Sequence, residues 1–149
     1  MGRARRKRAH DALFLVLLLA APARAGASFA DDAPSAVTLP SGTLATEAIG
    51  IRKVLDAYIK AVEAKDLQMF RTVKPNLSDD EERRARAAFK SIQSQVVKMN
   101  VLALDVKDGK ATVRVSRRDT INGTIVSSFP QTFQLSKEPS GWLIDDIGR

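Results

Sequence analysis

Three turn signals cut the end of the chain into four strands, and no other feature limits the fold as sharply. Asp108-Gly109, Asn122-Gly123 and Pro139-Ser140-Gly141 stand between runs of β-branched, aliphatic and aromatic residues. Val96 to Val106 is the first run. Lys110 to Asp119 alternates, with Ala111, Val113 and Val115 on one face and Thr112, Arg114 and Ser116 on the other. After the second turn Ile125, Phe129, Phe133 and Leu135 share one parity, and Pro130 predicts a bend or an edge because it cannot donate to a ladder. Trp142 and Ile144 close the sheet from the last strand. Asp-Gly and Asn-Gly accept the positive φ that tight hairpins require, so the strands follow one another as an antiparallel meander.

Such a sheet can leave one face wet, but its apolar face must be covered. The preceding sequence supplies three short amphipathic helices. Ile51, Val54, Leu55, Tyr58 and Val62 recur at helical spacing from about Thr46 to Ala64, with Arg52, Asp56, Lys60 and Glu63 on the other side. Asp66 caps a shorter helix that carries Leu67 and Phe70 inward and stops at Lys74-Pro75, where the residue before proline avoids the helical region. Ser78 and Glu81 form a capping box for the third, whose first turn is acidic at Asp79, Asp80 and Glu82. Its apolar stripe is Ala85, Ala88, Phe89 and Ile92, and Arg83, Arg84, Arg86 and Lys90 make a solvated face. The fold class is therefore α+β: three N-terminal helices packed on a curved antiparallel four-stranded meander, cone-like in outline. In so modest a core, loss of Trp142 or Phe89 to alanine is expected to cost about 3–5 kcal/mol.

The 149 residues suit one domain, and the 44% hydrophobic content suits a globular core. A net charge of +7 would suggest nucleic acid, but most of it lies between Met1 and Ala25, where Arg3, Arg5, Arg6, Lys7, Arg8 and Arg24 face Asp11 alone. No nucleic-acid partner is expected. That basic segment precedes an apolar run from Ala12 to Ala21 and the small-x-small sequence Ala23-Arg24-Ala25, the three parts of a secretory signal peptide. Ser28-Phe29-Ala30 offers a second cleavage point. The apolar run is shorter than the ~20 residues that span a bilayer, so no stable membrane anchor is expected after cleavage. Residues 1–25 read as the signal, 26–45, rich in Ala, Ser, Pro and Asp, as a flexible tether, and 46–149 as the domain. The expected location is the periplasm or the medium.

The chain has no cysteine, and its one histidine, His10, lies in the signal. A mature protein without either residue has no His general base, no Cys nucleophile, no Ser-His-Asp triad and no zinc site built on His or Cys. No metal and no cofactor are expected.

The order of elements resembles the nuclear transport factor 2-like superfamily, also called cystatin-like or SnoaL-like. The resemblance rests on the helix from Ile51 to Leu67 with Tyr58 and Asp66-Leu67, on Phe70, on Pro75-x-Leu77-Ser78, on Phe133-x-Leu135, and on the closing Gly141-Trp142-x-Ile144. It implies a curved sheet wrapped on the first helix with a pocket at the open end of the cone. Tyr58 and Arg117 are then the polar candidates to line that pocket, with Phe70, Phe89, Met99, Phe133 and Trp142 as its apolar wall. Tyr58 is similar in position to the phenol that stabilises an enolate in steroid-isomerase members, although a tyrosine on the apolar face of a helix is more often a core residue whose hydroxyl reaches water or a backbone partner. Arg117 either meets an anionic ligand or pairs with Asp119 or a helix acid. Catalytic members carry a base on a hairpin after the second helix, and here Lys74 to Ser78 passes straight into the third helix. No catalytic residue is therefore assigned. The expectation is an exported, non-catalytic ligand-binding or assembly module that takes a small apolar or anionic ligand or forms a homodimer through its sheet face. The alternative is a small-molecule isomerase or dehydratase using Tyr58 as electrophile and one of Asp105, Asp119, Asp145 or Asp146 as base.

Overall fold

The computed structural model describes residues 41–148. The expected signal, and the tether as far as residue 40, lie outside the described residues. Three helices, α1 (Ser41–Ala64), α2 (Leu67–Val73) and α3 (Asp79–Ser91), precede four strands, β1 (Gln95–Lys107), β2 (Lys110–Ile121), β3 (Ile125–Glu138) and β4 (Gly141–Gly148). The strands form one antiparallel sheet in chain order, as the three turn signals require. The α+β meander read from the sequence is the observed fold. Among the described residues no helix is long and apolar enough to cross a membrane.

Asp108 and Gly109 take φ of 49° and 71°, and Asn122 and Gly123 take 51° and 72°, the left-handed pair that matches strand twist. Asn122 also ties the end of α3 to the sheet, its Oδ1 accepting from the backbone N–H of Gln93 at 3.0 Å and of Ser94 at 3.1 Å. β4 pairs with β3 only from Thr132 to Glu138, so Pro130 lies where β3 is an edge, as its missing N–H predicts.

The helices start and stop for local reasons. Asp66 accepts from the N–H groups of Gln68 and Met69, and Ser78 with Glu81 completes the capping box. α1 ends in a Schellman turn with Lys65 left-handed: its N–H bonds the Val62 carbonyl at 3.1 Å, and that of Asp66 bonds Ala61 at 3.0 Å. α1 begins at Ser41, more than a turn ahead of the predicted Thr46. Leu44, Ala45 and Thr46 are exposed, so this turn has no apolar face and left no period to read.

The core lies between α1 and the concave face of the sheet. Ile51, Leu55, Tyr58 and Val62 from α1 meet Val113, Val115, Phe133, Leu135 and Ile144, with Phe70 and Val73 of α2 beside them. Two bulges bend the sheet around them, between Val101 and Ala103 in β1 and opposite Gln134 and Leu135 in β4. Phe89 corrects the expected energetics: it is only partly buried against this core, whereas Phe70 and Phe133 are at 0% exposure. Its loss to alanine should cost less than theirs.

Candidate functional site

Residues two apart on a strand share a face, and β2 turns Ala111, Val113, Val115, Arg117, Asp119 and Ile121 toward the helices. The first three are apolar and the next two are charged. Arg117 and Asp119 stand ~6.6 Å apart along the strand, close enough for the guanidinium to fold onto the carboxylate. Arg117 Nε donates to Asp119 Oδ1 at 2.7 Å and Nη2 to Oδ2 at 2.8 Å, a bidentate pair with the residues at 1% and 0% exposure. The remaining nitrogen, Nη1, donates to the Tyr58 hydroxyl at 2.9 Å and to Gln131 Oε1 at 3.2 Å. Gln95 Nε2 donates to Asp119 Oδ2 at 2.9 Å. The guanidinium carbon lies 5.8 Å from the centre of the Tyr58 ring and 5.5 Å from that of Phe129.

Aromatic packing locks Tyr58 from its other sides. Its ring centre is 5.5 Å from that of Phe70, tilted, and 5.3 Å from that of Phe133, edge-on. Among the described residues every buried side-chain nitrogen or oxygen has a hydrogen-bond partner. The pKa of Arg117 lies above its ordinary value: burial, the largest influence, pulls it down, and Tyr58 together with the hydrogen-bonded Asp119 carboxylate outweighs it. The cation is thus fixed in charge as well as in place.

Four of the seven pocket candidates meet in this way: Tyr58, Phe70, Arg117 and Phe133. Met99 and Phe89 are partly buried against the same core. Trp142 belongs to the same core but lies under the N-terminal half of α1, away from the Tyr58 hydroxyl. Its indole N–H donates to Glu47 at 2.8 Å, and Gly50 makes room for the ring, since a Cβ there would fall 2.9 Å from Trp142 Cδ1. The hydrogen bonds from Lys137 and then Trp142 hold the Glu47 carboxyl below its ordinary value. Of the strand carboxylates, Asp105 and Asp146 are exposed, and Asp145 accepts from Ser136 at 2.8 Å within the β4 bulge. Asp119 alone is buried, and both its oxygens are taken by Arg117 and Gln95. The sequence offered Arg117 and its pairing with Asp119, but not Gln95 or Gln131. Parity holds both: Gln131 shares the phase of Phe129 and Phe133, and Gln95 that of Val97.

Cavities described among these residues lie away from Tyr58. One, of about 310 Å³, runs between α1 and the β1–β2 hairpin and is lined by Ile49, Ile51, Arg52, Leu55, Val101, Leu104 and neighbours. Another, of about 560 Å³, follows the outer side of α1 from Ile49 to Lys60 and reaches Met69. Among the described residues no cluster of three or more acidic, His or Cys side chains could hold a metal ion.

No protein-family profile matches the sequence, and no curated protein sequence matches it significantly. Solved structures do match. The Kfla4162 protein from Kribbella flavida superposes with a TM-score of 0.61 at 12% identity, over 70% of this chain and 90% of that one. A candidate dehydratase of the NTF2-like family from Streptomyces avermitilis gives 0.57 at 11%, over 70% and 95%. An NTF2-like protein of unknown function from Shewanella baltica gives 0.55 at 17%, over 69% and 91%. The domain has the nuclear transport factor 2-like fold. Identity this low carries the fold and nothing finer, because this fold hosts unrelated activities. Within the nuclear transport factor 2-like cone of this chain, the space beneath Tyr58 is occupied by its own Arg117, Asp119 and Gln131.

Proposed function

We propose that the domain is an exported, non-catalytic binding module whose cone interior is structural. The observation that carries this reading is the closed cluster at Tyr58. A phenol that stabilises an enolate must donate to a substrate oxygen in an accessible cavity. Tyr58 is at 0% exposure and its oxygen accepts from Arg117, while the one buried carboxylate has both oxygens engaged. A general base must reach its substrate's proton, and Asp119 at 0% exposure faces only its own chain. Export rests on the three-part signal.

Self-association is assigned to the outer face of the sheet. Val96, Thr120 and Val126 stand side by side across three strands, and both valines are 50% exposed. Lys98 and Arg118 form the next row on that face, directly opposite one another. Like charges so placed repel, so a dimer through this face should tighten with added salt.

The test joins location to chemistry. Expressed with its own signal in a Gram-negative host, the protein should be recovered from the periplasm with a mass that begins after Ala25 or Ala30. Incubated in heavy water with a panel of α,β-unsaturated ketones, it should incorporate no deuterium above the buffer rate. Retention of the full-length mass in the cytoplasm would end the export reading. Deuterium incorporation that disappears in a folded Tyr58→Phe variant would establish the isomerase reading in place of the non-catalytic one.

A further inference from the structure

We propose that the groove between α1 and the β1–β2 hairpin, and not the interior of the cone, is a binding site for an aliphatic carboxylate. Its floor is made of core residues, Ile51, Leu55 and Val113, each at 4% exposure or less. Its walls include two apolar residues that stand out into solvent, Ile49 at 72% exposure and Val101 at 51%. The β1 bulge falls on that wall, between Val101 and Ala103, and leaves Leu102 outside the register and 60% exposed. Apolar side chains scattered singly over a surface need no explanation, but Ile49 and Val101 converge with Leu104 on one concavity of about 310 Å³. That volume is at the lower end of the ~300–1,000 Å³ of small-molecule sites.

The charge of the groove selects the head group. Arg52 is its one charged lining residue, and no acid lines it. Arg52 enters no ion pair among the described residues; neither do Arg84, Arg114 and Arg118, but of these four Arg52 alone lines the groove. Guanidinium is planar and bidentate toward carboxylate, and its attraction is stronger beside apolar walls than in open water. A ligand with an aliphatic tail against Ile49, Leu55, Val101 and Leu104 and a carboxylate at Arg52 satisfies both the area and the charge. Neither uses Tyr58 or Arg117, so the site stands whether or not the cone is catalytically silent.

Decanoate, 1-decanol and acetate are titrated separately into isotope-labelled full-length protein while backbone amide shifts are followed. Decanoate should produce saturable shifts centred on Ile49, Arg52, Val101 and Leu104. Decanol should move the same amides with affinity about tenfold weaker, and acetate should not saturate. Arg52→Gln should bring decanoate down to the affinity of decanol with the melting temperature unchanged. Equal affinities for decanoate and decanol would remove the role of Arg52 and overturn the proposal. So would shifts centred on Phe133 and Arg117, or no saturable shift. Groove shifts that grow with protein concentration alone would give the groove to a second copy of the chain and overturn it as well.

Discussion

Two arginines stand beside apolar side chains in this domain, and they differ in what surrounds them. Arg117 is at 1% exposure, and its three nitrogens donate to Asp119, Tyr58 and Gln131. Arg52 lies at the mouth of an open groove with no ion pair among the described residues. The sequence pointed to the first, because an arginine inside an alternating strand is conspicuous. A buried cation signals a ligand only when the chain itself leaves it unsatisfied. Arg117 is satisfied within the chain, whereas Arg52 is exposed and its guanidinium is open to a partner from solution, which is why the proposed ligand site is the surface groove.

The sharpest way to break the comparison is to remove one half of the interior pair. Arg117→Ala leaves Asp119 buried with only Gln95 as partner, and Asp119→Ala leaves the guanidinium facing Tyr58 and Gln131. Each should destabilise the domain by about 3–5 kcal/mol in urea unfolding, because an uncompensated buried charge is left behind. The double variant Arg117→Met, Asp119→Leu should lose much less than the sum of the two single changes, since an apolar pair removes both charges together. Additive losses would mean that the two side chains do not hold each other.

Core aromatics come next. Phe133→Ala, at a site of 0% exposure, should cost about 3–5 kcal/mol, and Phe89→Ala less than half as much because its ring is partly exposed already. Equal costs would show that α3 seals the cone more tightly than its burial indicates.

That contrast marks how far the sequence could be read. The turn dipeptides, the capping box and the strand parity are local rules, each satisfied within a few residues, and all three appear in the structure where they were expected. Phe89 has the right helical phase, yet phase says which face a residue takes and not how deep that face is buried. The two bulges were not legible either, since one extra residue in a strand is fixed by its partner's register. Gln95 and Gln131 are polar residues at inward positions, and alternation read by hydrophobicity passes over them. What would have found them is Asp119 itself: an inward carboxylate beside an inward arginine still has lone pairs and donors to satisfy.

Acid titration should separate the regions more gently. A guanidinium is charged at every acidic pH, so the cation of the interior pair gives no response as the solution becomes acidic. Glu47, which joins Trp142 and Lys137, has its folded pKa lowered from 4.5 by hydrogen bonds from Lys137 and then Trp142. Its contribution is fully present above about pH 4.5, the unfolded value, and is lost as pH falls through the lower folded value. Wild-type stability should therefore fall in that window by more than that of Glu47→Gln, whose curve should be flatter. Parallel curves would mean that Glu47 is not engaged in solution.

The most direct test of a closed interior is solvent exchange at the arginine side chains, followed by nitrogen-detected nuclear magnetic resonance of arginine-labelled protein. The Nε–H of Arg117 should be strongly protected from water and unmoved by decanoate, while that of Arg52 exchanges freely and shifts when decanoate binds. Free exchange at Arg117, or a decanoate shift there, would show that the cone opens to solvent and would contradict a purely structural role for the Tyr58–Arg117–Asp119 cluster.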